Sequence, residues 1–101
     1  MAENNPIEQI RLLVTGGTID KSYCPVEGAL SFSRTHVLAM LKQARVALPE
    51  DKIQTLLLKD SLDLTEADRE IICQAAVAAT ETKLIVTHGT DTMVQTAERL
   101  A

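Results

Sequence analysis

Three short apolar runs punctuate the chain: Gln9–Val14 (QIRLLV), Lys52–Leu58 (KIQTLLL) and Lys83–Thr87 (KLIVT). Each ends at a polar or glycine-bearing segment, as a buried strand does. Between them the apolar spacing switches to three and four. Ser33 is a candidate cap for a helix whose face carries Val37, Leu38, Met40, Leu41 and Ala44. Thr65 precedes the acidic turn Glu66-Ala67-Asp68, which suits a helix start, and Ile71, Ile72, Ala75, Ala76 and Ala79 line the face that follows. A third helix is expected from near Thr92 through Leu100.

The order is therefore β-α-β-α-β-α. Strands that are apolar throughout, rather than alternating, are buried on both faces, so the pattern predicts a mostly parallel sheet flanked by helices. This is a three-layer α/β architecture of Rossmann-like or flavodoxin-like type, with right-handed crossovers. Three parallel strands make a thin sheet with an unpaired outer edge. Residues 1–101 are thus expected to form the front, incomplete part of a larger domain, cut after its third βα unit.

Composition narrows the function. With 46% hydrophobic and 24% charged residues among 101, the chain has the balance of one globular domain. No apolar run approaches the ~18–20 residues of a membrane-crossing helix. The polar start MAENNPIEQI lacks the look of a signal peptide, so a cytoplasmic location is expected. Ten basic against fourteen acidic residues give a net charge of −4, and Tyr23 and Phe32 are the only aromatics. Both features argue against nucleic acid and favour a small polar ligand. Cys24 and Cys73 lack ligand spacing, as do His36 and His88, so no metal or cofactor is expected. One disulfide remains open, with two reduced thiols the simpler reading.

Two segments carry candidate chemistry. The first run leads into Thr15-Gly16-Gly17-Thr18-Ile19-Asp20 and the third into Thr87-His88-Gly89-Thr90-Asp91-Thr92, each a Thr-x-Gly-Thr pattern. In open α/β sheets the carboxyl ends of strands border the ligand crevice. Gly17 and Gly89, without Cβ, let backbone N–H groups approach a ligand closely. The middle strand adds Lys59-Asp60-Ser61-Leu62-Asp63. Hydroxyls and N–H donors suit a carboxylate or an oxyanion, while Asp91 suits an ammonium group; together they suit an α-amino acid. Thr18 is a candidate nucleophile, and Tyr23, in the long loop Ile19–Phe32, a candidate helper on a lid. Simpler roles stand beside these: TGGT as a tight turn or anion nest, HGTDT as a helix cap, Asp60 and Ser61 as turn residues.

The pairing of TGGTID with THGTDTM across a DSLDLT segment resembles the amino-terminal half of the bacterial-type L-asparaginases, over Ile10 to Ala101, and looks most similar to their short bacterial form. The resemblance implies an asparaginase-like amino-terminal domain. Its activity would be hydrolysis of L-asparagine, with L-glutamine as a possible second substrate, in a dimer or tetramer. By the same likeness Thr18 is the nucleophile, assisted by Tyr23. Thr90 activates the second step with a distant lysine, Asp91 holds the α-amino group and Ser61 the α-carboxylate. Asp60, Gly17 and Gly89 complete the substrate-binding set. Leu62 departs from the polar residue many relatives carry there, which bears on Asn-versus-Gln preference. None of Lys21, Lys42, Lys52, Lys59 and Lys83 occupies the catalytic lysine's motif. A non-catalytic amino-acid-binding module, or an inactive fragment, is the alternative these residues leave open; an anion or nucleotide site on TGGT is weaker.

Overall fold

The computed structural model describes residues 9–24, 29–32 and 35–101, with the side chains of 18, 23, 24 and 29–32 outside that description. Among the described residues there are five strands and three α-helices: β1 (Ile10–Val14), β2 (Lys21–Cys24), β3 (Ala29–Phe32), α1 (Val37–Gln43), β4 (Ile53–Thr55), α2 (Glu66–Ala78), β5 (Lys83–Thr87) and α3 (Met93–Leu100). Short 3-10 turns at Thr18–Asp20, Glu50–Lys52 and Ser61–Asp63 join them. No described helix is long and apolar enough to cross a membrane.

β1, β4 and β5 form one parallel sheet in the order β4-β1-β5. The chain starts in the middle strand, passes to one side for β4 and returns across β1 for β5. The turning point of this topology lies between β1 and β5, where an open α/β sheet has its crevice at the carboxyl ends. Leu12, the middle residue of β1, sits opposite Ile53 on one side and Ile85 on the other.

The two faces of β1 do different packing. Ile10, Leu12 and Val14 point one way and gather Val37 and Leu41 of α1, with Leu48, Ile53 and Leu58, into a core cluster. Leu13 faces the opposite side and is fully buried, as is Ile72 of α2. α2 starts with a capping box. The Thr65 hydroxyl accepts from the Asp68 N–H at 3.1 Å, and the Asp68 carboxylate accepts from the Thr65 N–H at 3.0 Å.

Charge holds the amino ends of the sheet strands together. Arg11 on β1 donates to both oxygens of Glu81, Nε at 2.8 Å and an Nη at 3.0 Å, and Lys52 joins at 2.7 Å. Glu81 lies two residues before β5 and Lys52 immediately precedes β4, so the clamp spans all three strands. The two cations cover the carboxylate and hold its pKa down to about 2, the hydrogen bond from Arg11 being the larger cause.

Several local expectations are revised. Ile19–Phe32 is no plain loop: β2 and β3 pair antiparallel, with Tyr23 opposite Leu30. β4 spans Ile53–Thr55 rather than the whole run 52–58, because the Leu56 and Leu57 N–H groups both turn onto the Val14 carbonyl (2.9 and 3.2 Å) and end the ladder. β5 is not buried on both faces; Leu84 and Ile85 are 38% and 49% exposed. Its described pairing is to β1 on one edge only. α1 takes its N-cap at His36, and the proposed Ser33 cap lies outside the described residues.

Candidate active site

The Gly16-Gly17 turn that ends β1 is possible only for glycine. Its two residues have φ of +104° and +109°, a region in which L side chains are strained. Space forbids a side chain as well. A Cβ on Gly16 would stand 2.6 Å from the backbone N of Lys59, and one on Gly17 3.2 Å from the backbone N of Gly89. The turn therefore lies flat against the ends of two other segments. A Cβ on Gly89 would in turn stand 2.9 Å from Ser61 Oγ. Three strand ends thus converge on Gly17, Gly89 and Ser61, with the glycine pair at the β1–β5 turning point.

Hydroxyl groups sew these ends together. Thr15, 1% exposed, donates its hydroxyl to the Thr87 carbonyl at 2.5 Å, and its N–H donates to Thr87 Oγ1 at 3.3 Å. Thr92 donates its hydroxyl to the Ser61 carbonyl at 2.7 Å and its N–H to Ser61 Oγ at 3.4 Å. The start of α3 is thereby fastened to the middle segment, and Thr92 makes no side-chain cap on its own helix.

A second anchor sits behind the Thr18–Asp20 turn. The Asp20 N–H closes that turn on the Gly17 carbonyl at 3.0 Å. Its buried carboxylate accepts at Oδ1 from the Thr35 hydroxyl and the His36 N–H, both 2.8 Å away. Oδ2 has no hydrogen-bond partner among the described residues. The His36 ring then meets Ser22 Oγ of β2 at 3.0 Å, so the base of the hairpin is tied to the start of α1.

The sequence-derived site residues divide into four groups. Gly17, Gly89 and Ser61 are brought together. Ser61 is buried, at 2% exposure, and Thr90 and Asp91 are exposed on the loop leading from Gly89. Asp60 pairs with Lys21 at 2.8 Å, which links the middle segment to β2. The side chains of Thr18 and Tyr23 lie outside the described residues. Lys59 is engaged by Asp68 at 2.8 Å, and that contact, followed by the Thr65 N–H, holds the Asp68 carboxyl below its usual range. Among the described residues no group of three or more His, Cys, Asp or Glu side chains is arranged to hold a metal ion.

Sequence reading missed Thr15, Thr87, Thr92 and Asp20 as builders of the site. The only available signal was their recurrence beside the glycines, and threonine or aspartate next to a turn is common for local reasons. The arrangement brings Gly17, Gly89 and Ser61 together at the strand ends, with Thr90 and Asp91 exposed on the segment that follows. An exposed carboxylate beside a hydroxyl is chemistry suited to a small ligand that carries an ammonium group.

Comparison with known proteins agrees with this geometry. The thermostable L-asparaginase from Thermococcus kodakarensis superposes with a TM-score of 0.67 and 29% sequence identity, over 90% of this chain. This chain spans 28% of the length of that protein. No curated protein matches the chain. The family model described as "Asparaginase, N-terminal" matches residues 9–101, which takes in both glycine turns and the segment between them. On that match, the chain belongs to the asparaginase family, in its N-terminal part.

Proposed function

We propose that this chain supplies the substrate crevice of an L-asparaginase-like amidohydrolase, converting L-asparagine and water to L-aspartate and ammonia. The observation that carries the reading is the convergence of Gly17, Gly89 and Ser61 at the turning point of the sheet, in a member of the asparaginase family. In this reading the Thr18 hydroxyl attacks the side-chain amide carbon. N–H groups of the glycine turns stabilise the oxyanion, and ammonia leaves as the acyl-enzyme forms. Water then releases L-aspartate. Asp91 receives the α-ammonium group and Ser61 the α-carboxylate, while Tyr23 and Thr90 assist proton transfer. Asp60 acts through its pairing with Lys21. The working unit is a homo-oligomer, a dimer or tetramer, located in the cytoplasm, with a small amide as substrate and no cofactor.

A second reading has an observation of its own. Lys59, which lies beside the glycine turn, is paired with Asp68, and that pairing keeps its ammonium group from proton transfer at the turn. Loss of such proton transfer costs on the order of 10²–10⁴ in rate. A chain that binds the amino acid and turns it over slowly, or not at all, fits that observation.

Ammonia release from L-asparagine, together with calorimetry using L-aspartate, separates the two. Turnover that Thr18→Ala removes while binding persists supports the hydrolase. Binding that Asp91→Ala abolishes, with no ammonia formed, supports the module. No binding of L-aspartate by the wild-type chain ends both.

A further inference from the structure

His88 sits between the two glycine-turn elements and α3, and both of its ring nitrogens are engaged. Nδ1 lies 2.5 Å from the Gly89 carbonyl oxygen and Nε2 lies 2.8 Å from Thr96 Oγ1. Thr96, 2% exposed on α3, also receives Arg69 Nε at 3.1 Å. Arg69 lies on α2, is 6% exposed, and has an Nη on Glu66 at 2.9 Å.

This chain of contacts runs in one direction only. A guanidinium donates and never accepts, so the Thr96 oxygen is the acceptor from Arg69. Its single proton is then available to donate to His88 Nε2. A carbonyl only accepts, so Nδ1 carries a ring proton and gives it to Gly89. The Gly89 end therefore selects the Nδ1–H tautomer, whose bare Nε2 takes the Thr96 proton.

The far end of this chain is the peptide that launches Thr90. In a trans peptide the carbonyl and the next N–H point in opposite directions. With the Gly89 carbonyl held by the His88 ring, the Thr90 N–H is turned away from that ring. Gly89 is also walled by Ser61 on one side and Gly17 on another. We infer that His88 is a positioning residue, anchored at Nε2 to Thr96 and Arg69 and donating from Nδ1 to the Gly89 carbonyl, which sets the orientation of the Thr90–Asp91 segment. The inference rests on Thr90 and Asp91 being the ligand-facing residues of the proposed function.

Two measurements on the full chain at neutral pH test it. Imidazole ¹⁵N shifts read the tautomer: a protonated Nδ1 with a bare Nε2 is expected, and Thr96→Val should retain that form, because the Gly89 carbonyl still takes the Nδ1 proton. An Nε2–H ring in the wild type overturns the inference. The second measurement compares His88→Asn, which keeps a donor where Nδ1 stood, with His88→Gln, which keeps a polar atom where Nε2 stood. L-Aspartate affinity is expected within about twofold of wild type in the Asn variant. In the Gln variant it should be weaker by about tenfold, the scale of one lost hydrogen bond. Equal affinities in the two variants, or affinities that merely follow their thermal midpoints, overturn it. If the wild type does not bind L-aspartate, the proposed function fails by itself. The backbone amide shifts of Thr90 and Asp91 then decide the positioning role. They should be displaced in the Gln variant and retained in the Asn variant, and shifts unaltered in both overturn it.

Discussion

Replacing Gly89 by alanine isolates how tightly the three strand ends are packed. The backbone conformation of Gly89 lies outside the left-handed region, so alanine meets no conformational strain and the cost is steric. The added Cβ would stand 2.9 Å from Ser61 Oγ, 3.1 Å from Ser61 Cβ and 3.3 Å from Ser61 N. Ser61 cannot easily retreat. It is 2% exposed, its hydroxyl receives the Thr92 N–H and its carbonyl receives the Thr92 hydroxyl. Inserting a methyl group into such a site costs about 1–3 kcal/mol. In a domain of this size each kcal/mol lowers the midpoint by about 4–8 °C. The companion change Ser61→Gly removes both Oγ and Cβ and so the two shortest of these contacts. The double variant should therefore lose less stability than the two singles together, with a coupling of about 1 kcal/mol or more. Urea denaturation of the four proteins measures the cycle. A Gly89→Ala protein as stable as wild type, or strict additivity, would refute the packing derived for Gly89 and Ser61.

Other perturbations probe the turn, the cap and the clamp. Gly16→Ala adds unfavourable φ of +104° to a 2.6 Å collision with the backbone of Lys59, so it should cost about 3 kcal/mol or more. A midpoint above that of Gly89→Ala would contradict the ranking. Thr65→Ala removes half of the α2 capping box and should cost about 1 kcal/mol, readable as a lowered thermal midpoint and absent if the cap is idle. The Glu81 carboxyl titrates at about 2 when folded, against an ordinary value of 4.5, so the ionised clamp stabilises the folded chain above that ordinary value. Its contribution fades as pH falls through about 2. The midpoint difference between wild type and Glu81→Gln should accordingly be present at neutral pH and shrink on acidification. A difference that does not vary with pH would count against the clamp.

Much of the architecture was legible locally. The run at 83–87 is β5 to the residue, and the helices begin and end close to where the three-and-four spacing starts and stops. Glycine beside threonine at two strand ends also pointed to Gly17 and Gly89, which meet in the folded chain. The β2–β3 hairpin escaped notice because its strands are four residues each, too short for an alternation to stand out. The Arg11–Glu81–Lys52 clamp was invisible for another reason: its members are as far as 70 residues apart, and charges carry no periodicity that points to a distant partner.

Amphipathic spacing and turn chemistry are properties of neighbouring residues, so the sequence by itself determined the alternation of strands and helices and the two glycine turns. Which strand lies between which is a choice among packings that satisfy the same pattern equally well. Tertiary structure alone decided that β1 is central, that Gly17 therefore meets Gly89, and that Ser61 is walled in beside them. Those contacts join segments separated by tens of residues, and only the burial of both faces of β1 selects them.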